Sequence, residues 1–251
     1  MTRRGRVGRP WLLAAGLVPL AALAAAIVAA ILLIAAGHVG QADATAPASA
    51  APTAPRHVAA QDGMPQEPQP GLSSLRWASY GGVELPSSPQ AGPRDTAGGL
   101  ARGYADTPLG ALVAAVNIAV RANAEWGPGV FIPVIRGQVT GPDAAALLAG
   151  CQAAYSQAAS AAHITGGQPL GSADVTEEAF RWVSYAPSGA TVDLVSAGPG
   201  SAGRTALAVT RIQVTWDGTD WKVIAPLNGD WASAAAVLTS LAGYTVFPGQ
   251  G

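Results

Sequence analysis

Cysteine and lysine are almost missing from this sequence: Cys151 and Lys222 are the single examples in 251 residues. One cysteine excludes an intrachain disulfide and any site built from several thiolates. Histidine occurs three times, and beyond residue 71 only His163 is left to serve catalysis or a metal. Charge is sparse as well, at 12% of residues. From Gly71 onward nine Lys/Arg face twelve Asp/Glu, a mildly acidic balance that argues against a basic surface for nucleic acid.

What the sequence does have is a long stretch without charge. Arg3, Arg4, Arg6 and Arg9 precede a run from Trp11 to Ala36 that contains no charged residue. As a helix this run would be about 39 Å long, against a hydrocarbon core of ~30 Å. The four arginines set the expected orientation, with the N-terminus cytoplasmic and the rest of the chain outside, in the cell membrane. A cleaved signal peptide is the competing reading, because Ala42-Asp43-Ala44 offers small residues at a suitable spacing. Its apolar core would be unusually long, since such cores run to about 7–15 residues. Ala22, Ala26 and Ala30 form a small-residue face that would let the helix pair into a homo-oligomer, although alanine is abundant throughout.

After the run the composition shifts to Ala, Pro, Thr, Ser and Gln, and six prolines from Pro47 to Pro70 prevent regular structure. A flexible segment of this length spans about 30 Å. The chain thus divides into a basic cytoplasmic tail (1–10), a transmembrane helix (11–36), a disordered Pro/Ala-rich linker (37–71) and one extracytoplasmic domain (72–251).

Within that domain, residues 77–86 read as an extended segment and 87–103 as a loop. Thr107-Pro108 is an N-cap followed by the residue best suited to the first helical position. Leu109, Leu112, Val113, Val116 and Val120 continue at helical spacing. Asn117 and Arg121 read as a solvated part of that helix. Val130–Ile135 fits either a strand or a helix. A second helix is expected from about Pro142-Asp143, with Thr140 as a cap and Ala145, Leu148, Cys151, Gln152 and Tyr155 facing inward.

The period then changes to two. Residues 180–185, 190–195, 207–216 and 221–225 read as four strands. Asp217-Gly218-Thr219-Asp220 forms a tight hairpin. Ile212, Val214 and Trp216 point one way, and Arg211, Gln213 and Thr215 the other. Leu207 and Val209 have the opposite parity to Ile212, which predicts a bulge near Thr210. A last helix is expected over Trp231–Leu241. The resulting expectation is an α+β domain with helices on a curved four-stranded antiparallel sheet, the cone of the nuclear-transport-factor-2-like and cystatin-like class. An open α/β sandwich is the alternative.

Chemistry is scarce. No nucleophile–base–acid spacing, phosphate loop or metal-ligand cluster is present, so no catalytic, cofactor or metal residue is assigned. Cys151 reads as a core residue. His163 reads as a cap on the second helix. Glu177 and Glu178 are adjacent, so on a strand they point apart. Asp193 is the single candidate base for a cone pocket, and its other reading is a cross-strand partner of Arg181 or Arg211.

Three stretches carry a family resemblance: RWASYGGVELPSSPQAGP from Arg76, GYADTPLGALVAAVNIAVR from Gly103, and DWKVIAP from Asp220. With these the chain resembles membrane-anchored proteins of unknown function from actinobacterial conjugative and integrative elements. Its layout is similar to that of type IV secretion inner-membrane assembly factors. The resemblance implies a non-enzymatic scaffold in a cell-envelope complex, such as a DNA-transfer apparatus, with other membrane-complex subunits as partners. The expected partner surface is the polar sheet face of Arg181, Arg211, Gln213 and Thr215. A small-molecule-binding or enzymatic cone and a cell-wall-associated module are the alternatives.

Overall fold

The structure, a computed structural model, describes residues 70–200 and 203–249. The expected transmembrane helix and the linker up to residue 69 lie outside the described residues. Among the described residues, no helix is long and apolar enough to cross a membrane.

The extended segment is a hairpin. Strand β1 (Arg76–Tyr80) turns at Gly81-Gly82 into β2 (Val83–Ser87). Both glycines have positive φ, 59° and 89°, as a two-residue hairpin turn requires. Val83 and Leu85 of β2 are buried.

Helix α1 (Pro108–Arg121) starts as its sequence dictates: the Thr107 side chain accepts from Gly110 N–H at 3.1 Å, with Pro108 in the first turn. Gly110 is needed there for space, because a Cβ would lie 2.0 Å from the Ala105 carbonyl oxygen. Every residue from Leu109 to Arg121 is buried. Asn117 and Arg121 are therefore not on a solvated surface. Asn117 Nδ2 donates to Pro86 O at 2.8 Å and ties α1 to the hairpin. The apolar run at 130–135 belongs to helix α2 (Pro128–Gln138), which contains Pro133. Gln138 at its end exchanges hydrogen bonds with the backbone N–H and C=O of Ala101, fixing the loop before α1. Helix α3 (Ala144–Ala161) buries Leu147, Cys151 and Ala159, while Ala145 and Gln152 are exposed, so the expected inner face is rotated. Thr140 lies in a strand and does not cap α3. His163 is exposed and ends the helix through its backbone, at φ 57° with its N–H on Ser160 O.

The main sheet corrects the expected fold class. It is mixed and seven-stranded, in place of a four-stranded antiparallel cone. Strands β4 (Thr176–Ala186), β5 (Gly189–Pro199), β6 (Thr205–Trp216) and β7 (Trp221–Ile224) form its antiparallel centre. Strand β3 (Val139–Thr140) runs parallel to β7. Strands β8 (Ala235–Leu238) and β9 (Thr245–Val246) pair with β6 and β4. Four of the seven, β3, β7, β8 and β9, are only two to four residues long, and of these only β7, which follows the Asp217-Gly218 turn, was expected.

The expected last helix is replaced by β8. Asp230 does cap a turn, its side chain accepting from Ala232 N–H at 2.9 Å, but the turn covers only Trp231–Ala234. The next four residues instead fill the stretch of β6 that β7 leaves open, Leu207–Thr210. No bulge occurs in β6, whose register with β5 is unbroken from Thr205 to Thr215. Thr210 is accepted into the core at 1% exposure, and Leu207 and Val209 stand on the opposite side, level with Leu238 and Ala236. The register shifts lie in β4, at Glu177/Ala179 and Trp182/Ser184.

The two faces of the sheet differ. Phe180, Leu194 and Thr210 form one cross-strand row, and Trp182, Val192 and Ile212 the next on the same face. Helix α1 packs across β5, β6 and β7, and these rows are buried. The opposite, outer face is crossed by the segment after β8. That segment reaches β9 and ends with Phe247 buried against Phe180 and Trp77.

Candidate functional site on the outer sheet face

Alternation along three neighbouring strands brings Arg181, Asp193 and Arg211 into one row on the outer face. Arg181 Nη2 donates to Asp193 Oδ2 at 2.8 Å. Arg211 grips the same carboxylate with Nε at 2.8 Å and Nη2 at 3.1 Å. The Asp193 side chain is 4% exposed, whereas those of Arg181 and Arg211 are 44% and 51% exposed. Burial alone would raise the Asp193 carboxyl, but the hydrogen bonds from Arg211 and Arg181 outweigh it and hold it below the ordinary aspartate value. A carboxylate held ionised by two guanidiniums is a poor proton acceptor at neutral pH, so this geometry does not suit a general base.

Of the four residues expected to form a partner surface, the structure thus joins Arg181 and Arg211 through Asp193. Gln213 continues the row along β6 and is exposed. Thr215 is further off, its hydroxyl donating to Ser188 O at the β4–β5 turn. One member was not legible in the sequence. The Arg181 guanidinium lies 4.7 Å from the centre of the Tyr244 ring, in the segment that crosses the face. Tyr244 belongs to no periodic pattern, and its only local signal is Phe247 three residues on.

Other polar groups are internal. Glu177 is fully buried and accepts a 2.9 Å hydrogen bond from Ser196 Oγ. Burial pushes its carboxyl up to about 7. Glu178 is half-buried and, with Asp174 and Arg204, lines a groove of about 320 Å³ beside the β5–β6 turn. Arg121 lies 4.5 Å from the Tyr80 ring centre and bonds Asn117 Oδ1 at 2.5 Å. Burial lowers its pKa, and Tyr104 and Tyr80 oppose that shift. Cys151 is buried, and burial raises its thiol to about 11. Among the described residues no three His, Cys, Asp or Glu side chains are grouped to hold a metal ion.

The stretches that carried the resemblance meet one another around α1. Asp220 accepts from Gly103 N–H at 2.8 Å and Tyr104 N–H at 3.0 Å, and Trp221 Nε1 donates to Ala105 O at 2.9 Å. Asn117 and Arg121 reach Pro86 and Tyr80. These residues build the frame, and the Arg–Asp–Arg row lies outside them. No curated protein and no solved structure matches the chain. Over residues 39–246 it matches the family described as a domain of unknown function, DUF8175, and it belongs to that family.

Proposed function

We propose that this chain is a non-enzymatic scaffold subunit of a cell-envelope complex. Residues 11–36 hold it at the cell membrane, its folded domain lies outside the cytoplasm, and the outer sheet face meets its partners. On the resemblance above, the complex is a conjugative DNA-transfer apparatus. The observation that carries the proposal is the state of Asp193. It was the one candidate base, and it is sequestered by two arginines on an open face. The inner face, where a ligand cone would leave room, is filled by α1, with Ala111, Val113, Val116 and Ile118 at 0% exposure. That arrangement favours a domain that works through its surface.

A photocrosslinking amino acid at Gln213, in the full chain in its native membrane, tests this. Adducts with other membrane-complex subunits are expected from Gln213 and not from Gln157 on α3. Equal yields at both positions, or none at Gln213, overturn the assignment of the face. The mass of the mature N-terminus tests the anchor, because cleavage after Ala44 would remove it.

A further inference from the structure

We infer that Arg181 and Arg211 together bind a carboxylate side chain from an acidic segment of a partner protein. The inference rests on the outer face being the partner surface, and it names the chemistry that surface takes. Two guanidiniums share one carboxylate, so the row carries a net charge of +1 by formal count (Arg181 and Arg211 against Asp193).

The shared carboxylate also sets the geometry. Asp193 is itself buried and accepts one hydrogen bond from Arg181 and two from Arg211. Most of the N–H groups of these arginines therefore have no partner among the described residues, while both side chains are about half exposed. Tyr244 packs on Arg181 and restricts it further. Guanidiniums already fixed in place lose little freedom on binding and favour a planar, bidentate acceptor.

Arg102 is paired with Asp95, Lys222 with Gly137 O and Asp217, Arg76 and Arg94 donate to Leu75 O and Gly103 O, and Arg121 is buried. Arg204 lines the groove with Asp174 and Glu178, and Arg136 is a single exposed cation, so Arg181 and Arg211 are the two guanidiniums held side by side. The folded part as a whole carries nine positive and twelve negative residues. On a mildly acidic domain, an acidic partner segment is favoured where two guanidiniums stand together, and that sets its register. A monoanion matches the surplus of one charge, whereas a dianionic phosphate would bring excess charge up to Asp193. The row is continued by the exposed amide of Gln213.

The test uses the full chain in neutral detergent micelles and a fluorescent glutamate-rich peptide, with binding read by anisotropy at low and high salt. Arg181→Gln and Arg211→Gln should each weaken binding at least about 5-fold, and high salt should weaken it for the wild type. Arg181→Lys should recover part of the loss. Arg204→Gln, a cation off the row, should change nothing. Gln213→Glu leaves the Asp193 contacts intact and should also weaken binding, so the result does not depend on variants that disturb the row. Absence of peptide binding overturns the inference, as does an equal loss in Arg204→Gln. So does tighter binding of inorganic phosphate or phosphatidylglycerol vesicles than of the peptide. Crosslinking from Gln213 that persists without peptide binding sinks the acidic chemistry alone. Loss of that crosslinking sinks the partner surface itself.

Discussion

The inner and outer faces of one sheet handle polar groups in opposite ways. On the inner face, α1 and the β1–β2 hairpin cover the rows of Phe180, Val192, Leu194 and Ile212, and the one carboxyl admitted from β4, Glu177, is fully buried and pushed up to about 7. On the outer face Asp193 has little solvent contact, yet stays ionised because two arginines reach over it. Burial thus raises one carboxyl, while the other is held down, and the difference lies in whether cations can remain half in water while touching the carboxylate.

That contrast can be broken most severely from the inside. Trp221 is fully buried with its indole N–H on Ala105 O. Trp221→Ala should cost about 4 kcal/mol, measured by urea denaturation, through a lost side chain and an orphaned carbonyl. The next largest effect is a pH dependence. Glu177 binds its proton more tightly folded than unfolded, so the native state holds more protons between pH 4.5 and about 7. Stability should therefore fall as pH rises through that window and level off above it. The drop should be on the order of 3 kcal/mol, and Glu177→Gln should flatten it.

Asp193 has the opposite sign. Its folded pKa is depressed, so its contribution is present above the ordinary aspartate value and is lost as pH falls below it. Asp193→Asn should cost about 1–2 kcal/mol, the figure being kept small by the exposure of both arginines. The loss should shrink in high salt as repulsion between the guanidiniums is screened. The smallest effect is expected at Tyr244, where Tyr244→Ala removes a surface cation–π contact worth about 0.5–1 kcal/mol. Its clearest readout is faster amide exchange at Phe247, whose N–H bonds Glu178 O.

Sequence alone discloses the elements that repeat a pattern. Thr107-Pro108 announces α1, and period-two runs with the Asp217-Gly218 turn announce β4 to β7. It also shows that Arg181, Asp193 and Arg211 alternate with core residues. It does not disclose β3, β8 or β9, because two to four residues fix no period without a turn signal such as the Asp217-Gly218 pair ahead of β7, and their pairing depends on which edges the other strands leave open. Ala235–Leu238 is the plainest case: alanine favours helix, and an unfilled edge of β6 overrides that weak preference. Thr210 misled in another way, since a polar residue at a core position looks like a break in register. Tyr244 is unreadable for a third reason, because only the path of the segment after β8 places it over a strand some sixty residues earlier.

The bond from Trp77 Nε1 to Pro248 O, 2.9 Å long, joins the first strand to the segment beyond β9. Tension applied along the chain ahead of residue 70 meets the Ser74–Ser88 hydroxyl pair and then the five residue pairs of the β1–β2 hairpin, to which this clasp and the Trp77–Phe247 contact add a tie from the far end of the domain. It reaches the long central strands only afterwards. With a partner seated on the outer face, a pull between membrane and partner is therefore borne first by the β1–β2 hairpin, which stands outside the main sheet and leaves the Arg–Asp–Arg row in place while it yields.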